Sequence, residues 1–132
     1  MRARTLAVAV AILVSVGVPA SANHDKGDGY ESCNAGEVCL YDLPSSSRWT
    51  NQFAWGAVYG TDYTWYDTVD NHYESWLVAN DMSAVVNKQA RCDVQFRDWS
   101  TGNTWTVGND YFWREAPSYI NQRADLHVLV NC

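Results

Sequence analysis

Residues 38–50 read VCLYDLPSSSRWT and residues 94–106 read VQFRDWSTGNTWT. Laid together at an offset of 56 residues, they match Val38 with Val94, Asp42 with Asp98, Trp49 with Trp105 and Thr50 with Thr106. Leu40 and Phe96 fall at the same apolar step. A short stretch used twice in one chain is the mark of one supersecondary unit that occurs twice. Both copies alternate. Val38 and Leu40, then Val94 and Phe96, sit two apart, as on one face of a strand. Each copy then enters turn chemistry, LPSSS at 43–47 and STGN at 100–103, where Pro44 and Gly102 interrupt a ladder. Each resumes with a tryptophan. The pattern predicts two β-hairpins.

Working outward, each hairpin is followed by an Asn-initiated polar turn that runs into apolar residues. The first is Asn80-Asp81-Met82-Ser83-Ala84-Val85-Val86 and the second is Asn121-Gln122-Arg123-Ala124-Asp125-Leu126-His127-Val128. Trp49 precedes Asn80 by 31 residues and Trp105 precedes Asn121 by 16, so the first half carries 15 more. Within that excess, residues 70–77 (DNHYESWL) space Tyr73, Trp76 and Leu77 three and four apart, which predicts one short turn of helix. Elsewhere there is no sustained helical period. The expectation is an all-β sandwich of two Greek keys, with half-repeats at about 33–90 and 91–132. Its core is expected to be Val38, Leu40, Trp49, Val85, Val94, Phe96, Trp105, Leu126 and Val128.

The N-terminus carries Arg2 and Arg4, an apolar run over 6–18, and a small-x-small site at Ala20-Ser21-Ala22. This predicts a signal peptide over 1–22 and export. A polar, Gly-rich leader (NHDKGDGYES, 23–32) comes next. After cleavage, 7 Lys+Arg face 15 Asp+Glu, a net charge of −8. Such a surface disfavours nucleic acid and anionic membranes as partners. Four cysteines in a small exported domain predict two disulfides. Of the three pairings, Cys33–Cys39 with Cys92–Cys132 is expected: one closes a small loop, the other ties the second repeat to the chain end. Paired CxxC spacing for zinc is absent.

The cysteine, turn and VCLYD run at 33–42, with NDMSAVVN at 80–87, resemble the secreted metalloproteinase inhibitors of actinobacteria. That family is named for a streptomycete inhibitor of thermolysin-type enzymes, and the resemblance spans roughly 33–132. It implies a βγ-crystallin-like fold, an inhibitory role rather than an enzymatic one, action as a monomer, and an extracellular protease, most naturally a metalloprotease, as partner. It also raises calcium, which the wider fold family binds through an N/D-N/D-x-x-S/T-S turn. Here Asn80, Asp81, Ser83 and Asp125 are the candidate oxygen donors. Ala84 and Gln122 depart from the pattern, and the alternative is a structural polar turn without any cofactor.

An inhibitor of this kind offers a rigid extended segment to the cleft. Two segments qualify. Residues 54–76 hold Tyr63, Trp65 and Tyr66, with acids and His72 near them. Residues 107–117 (VGNDYFWREAP) hold Tyr111, Phe112 and Trp113, adjacent and therefore unable all to point inward from a strand. Neither GxSxG nor HExxH occurs, and His24, His72 and His127 are scattered, so the residues themselves also speak against an enzyme. The rival readings are a calcium- or glycan-binding module and a secreted toxin or antifungal protein on the same scaffold. The 18 aromatic side chains (7 Trp, 8 Tyr, 3 Phe) favour the first of these.

Overall fold

A computed structural model describes residues 32–132. The segment expected to be a signal peptide and all of the expected leader except Ser32 lie outside the described residues, as does His24. Ten strands make two antiparallel sheets: β1 (Val38–Leu43), β2 (Ser46–Phe53), β3 (Ala57–Val58), β4 (Thr64–Asp67), β5 (His72–Leu77), β6 (Ala84–Asn87), β7 (Asp93–Arg97), β8 (Thr104–Val107), β9 (Trp113–Glu115) and β10 (Leu126–Val130). One sheet runs β5-β4-β2-β1-β6-β9, the other β3-β10-β7-β8. No helix among the described residues is long and apolar enough to cross a membrane.

The repeat is visible in the connectivity. β6 returns beside β1 as β10 returns beside β7, so β2-β1-β6 matches β8-β7-β10. The third strand of each half crosses over: β3 joins β10, and β9 joins β6. The two polar turns lean on each other at the crossover. Asn80 N–H donates to the Ala124 carbonyl at 3.1 Å, and Gln122 N–H donates to the Met82 carbonyl at 3.0 Å. Both donors sit in the left-handed region, with φ of 60° and 56°. Asn80 therefore corresponds to Gln122 and Ser83 to Asp125, one residue away from the match on Asn121 that the sequence suggested.

Both hairpins form, for local reasons. Leu43 pairs with Ser46 across Pro44-Ser45, so the first turn is tighter than LPSSS implied. The second is wound around Asp98, whose Oδ1 accepts from Ser100 N–H at 2.8 Å and whose Oδ2 accepts from the Thr101 hydroxyl at 2.8 Å. Those donors hold the Asp98 carboxyl down to about 2. Gly102 closes this turn at φ 73°.

The core lies between the sheets. Val38, Leu40, Val85, Val94 and Phe96 are fully buried, and the half-buried Trp49 and Trp105 pack against the same cluster. Residues the alternation did not reach complete it: Phe53, Tyr59, Trp65, Val78, Met82 and Ile120. On β10 Leu126 is buried as expected, but the alternation beyond it is not the expected one. His127 is fully buried and Leu129 packs on the core, while Val128 is only half-buried. His127 wins the inner position because both ring nitrogens find partners there. Its Nε2–H donates to the Trp55 carbonyl and its Nδ1 accepts from the Tyr59 hydroxyl, each at 2.6 Å.

Residues 70–77 are no helical turn. β5 pairs with β4, and the Tyr73 ring meets Tyr66 across the ladder at 5.1 Å. An antiparallel neighbour satisfies the backbone and packs the aromatic pair, which an isolated single turn of helix does not. The 15 extra residues of the first half thus include an added edge hairpin on β2. The disulfides are Cys33–Cys39 and Cys92–Cys132, as expected.

Candidate functional site

The segment after β8 turns at Gly108-Asn109-Asp110, and Asp110 organises the residues beyond it. Its Oδ1 accepts from Phe112 N–H at 3.1 Å, an Asx turn. Its other oxygen pairs with the Arg114 guanidinium, which holds the carboxyl below its ordinary range. Arg114 also lies 5.7 Å from the centre of the Phe112 ring. Tyr111 takes a left-handed φ of 67°, uncommon for an aromatic residue, and its N–H donates to the Asn87 carbonyl at 3.3 Å. The chain then enters β9, which pairs Trp113 with Val86 and Glu115 with Ala84. The Trp113 indole N–H donates to the Pro44 carbonyl at 2.8 Å, and its ring lies 4.2 Å from Tyr41.

Three large side chains are left facing solvent by this bracing. Phe112 is 65% exposed, Tyr111 49% and Trp113 37%. All three of the adjacent aromatics are therefore accessible, more than the alternation argument required. β9 is also the last strand of its sheet, and no strand among the described residues pairs its outer edge. An open edge beside fixed aromatics is what strand addition by a partner needs. Hollows lie on both sides of the strand, about 300 Å³ against Trp105, Asp110 and Arg114, and about 400 Å³ against Pro44, Trp113 and Glu115.

The other expected contact segment does not offer its aromatics. Trp65 is fully buried and Tyr63 is 8% exposed, packed edge-on against Phe53 at 5.0 Å. Both are core residues, so neither can anchor a partner. Tyr66 is half-buried on the outer face of the six-stranded sheet. Successive side chains of β4 point to opposite faces, which separates Trp65 from Tyr66. His72 is exposed and lies 3.5 Å from Glu74.

The candidate calcium donors have protein partners. The Asp81 Oδ2 accepts from the Trp65 indole at 3.0 Å. Burial pushes the Asp42 carboxyl up to about 6, and the charge and hydrogen bond of neighbouring Asp81 add to the rise. The Ser83 hydroxyl donates to Asn121 Oδ1 at 2.8 Å, and Asp125 Oδ2 accepts from Trp99 N–H at 2.7 Å. Asn80 contributes its backbone to the crossover. Among the described residues one group of three close acid, thiol or imidazole side chains occurs, Cys33, Glu37 and Cys39, and both of its sulfurs are in a disulfide.

Several bracing contacts had no sequence signal. Trp113 and Pro44 are 69 residues apart, and Asp42 meets Asp81 only because the polar turn folds back past the end of β1. Compared with family models, curated proteins and solved structures, the chain matches none.

Proposed function

We propose that the mature chain is a secreted, monomeric βγ-crystallin-like inhibitor of an extracellular metalloprotease, acting through residues 108–115. The observation that carries the reading is a braced, outermost strand that keeps Tyr111, Phe112 and Trp113 exposed. Large aromatics are the usual anchors of a protein interface. A cleft that accepts an extended chain would add β9 as a strand and seat Phe112, the most exposed of the three. Asp110, Asn87 and Pro44 already hold the backbone and the Trp113 ring, so little ordering entropy remains to be lost on binding. The same bracing opposes the relaxation that lets a substrate leave after cleavage.

The finer fold assignment rests on the mirrored order of the two halves and the exchange of β3 and β9, which is what the resemblance in VCLYD and NDMSAVVN implies. Export rests on the signal-like N-terminus and the two disulfides. The test is stoichiometric slowing of peptide cleavage by a thermolysin-type zinc protease. Phe112→Ala should weaken inhibition at least tenfold, since losing a buried aromatic anchor costs about 2 kcal/mol or more. Absence of slowing across a panel of zinc and serine proteases ends the inhibitor reading.

A further inference from the structure

The hollow beside Trp113 and Glu115 carries chemistry that aromatic anchoring by itself does not use. Ala116 N–H donates to the Ser83 carbonyl at 2.9 Å, so Ala116 and Arg114 are the residues whose main chain turns toward β6. Trp113 and Glu115 therefore turn their N–H and C=O groups to the open edge. Their side chains, two apart on one strand, leave the same face. With Pro44, Ser45 and Ser47 they line a hollow of about 400 Å³, and all five residues are exposed.

The walls of this hollow differ in kind. The Trp113 ring is fixed by the Pro44 carbonyl and by Tyr41, yet stays 37% exposed. The electron-rich face of an indole attracts cations. The Glu115 carboxylate is in none of the ion pairs among the described residues, and no Lys or Arg lines the hollow. Arg114 leaves the opposite face of the strand and pairs with Asp110. The hydroxyls of Ser45 and Ser47 add acceptors. One carboxylate offers too few oxygens for a hard metal ion. An aromatic face, a carboxylate and hydroxyls suit a planar cation with several N–H donors, which is a guanidinium; the ammonium of lysine is more strongly hydrated and does not stack. The surplus of acids in the mature chain, 15 against 7 bases, adds a long-range pull on a basic partner. In a strand laid antiparallel along β9, the residue opposite Glu115 projects from this same face. We infer that the hollow between Trp113 and Glu115 receives an arginine side chain from the strand that adds to β9. This rests on the reading of β9 as the accepting edge, and it makes the partner basic at that one position.

The test uses the whole mature chain, isotope-labelled, with its disulfides intact. The probe is a capped pentapeptide, Thr-Val-Arg-Val-Thr, set against the same peptide with citrulline, which keeps the shape of arginine and lacks its charge. The arginine peptide should shift the Trp113 indole N–H and the Glu115 amide resonances, with a Kd on the order of 1 mM. Citrulline should bind about five- to tenfold more weakly, having lost both the ion pair and the cation–π contact. Glu115→Gln should keep its melting temperature, since the residue is exposed, and should cut the preference for arginine to about twofold. No protease enters this assay. A preference for arginine in a chain that slows no protease ends the inhibitor reading alone, and inhibition without the preference ends this inference alone. The inference is overturned if the arginine peptide shifts neither resonance, if citrulline binds as tightly, or if Glu115→Gln keeps the full preference.

Discussion

Lowering the pH from 7 to 4 sets buried His127 against half-buried Asp42, and replacing one of them should expose the effect of the other. His127 is enclosed by Tyr59, Phe53 and Phe96, with its Nε2–H on a carbonyl that can only accept. Nδ1 therefore holds a lone pair toward Tyr59, and burial lowers the imidazole from 6.5 to about 4. Between those values the unfolded chain binds the proton and the folded chain does not, so stability rises with pH and is lost as pH falls. The shift corresponds to about 3 kcal/mol between pH 4 and 7. Asp42 has the opposite sign. Its carboxyl is raised to about 6 from 3.8, so the folded chain holds the proton and stability falls as pH rises through 4 to 6. Because Asp42 is partly exposed, its share is discounted to about 1–2 kcal/mol. The wild type should thus show a shallow profile. Asp42→Asn keeps a hydrogen bond to Asp81 while removing the titration, and should steepen the rise between pH 4.5 and 6.5 by about 1–2 kcal/mol. Urea denaturation at half-unit pH intervals reads this directly, and the His127 Cε1–H resonance reports its protonation. Equal slopes in wild type and Asp42→Asn, or an imidazole that titrates near 6.5 in the folded chain, would show that the two groups do not oppose each other.

Removing Cys92–Cys132 (both to Ala), a bridge 40 residues apart, should cost about 4 kcal/mol by chain entropy, against about 2 for the six-residue Cys33–Cys39 loop. Denaturant midpoints of the two double variants test that order. Leu40→Ala empties a fully buried site between the sheets and should cost about 2–5 kcal/mol by the same measurement. Gly56→Ala places a Cβ 3.1 Å from the His127 carbonyl oxygen and from the Val128 Cα, both backbone atoms. Its melting temperature should fall by several degrees, whereas Gly108→Ala, whose Cβ meets only Asp93 Oδ1 at 3.8 Å, should move it far less. Asp110→Ala removes the Asx turn and the Arg114 partner, and should weaken protease inhibition while leaving the fold's melting temperature within about 2 °C.

The two matched segments, with their period of two and their turn residues, determined two β-hairpins, an all-strand body and most of the inner face. Val38, Leu40, Val94 and Phe96 needed nothing beyond alternation, because a strand in a two-layer sandwich has only two sides to choose between. The cysteine spacing favoured one of three pairings, and the fold has that one. The same information placed Leu126 correctly but missed the full burial of His127, since only the folded chain brings Trp55 and Tyr59 to its two nitrogens. It also assigned Tyr63 and Trp65 to a contact loop, because a side chain's accessibility depends on what packs above it and not on its own chemistry. The exchange of β3 and β9 between sheets, the bracing of Trp113 by Pro44 and the pairing of Asp42 with Asp81 came from the tertiary structure alone. Each joins residues far apart in the chain, and no local pattern records which strand will lie beside which.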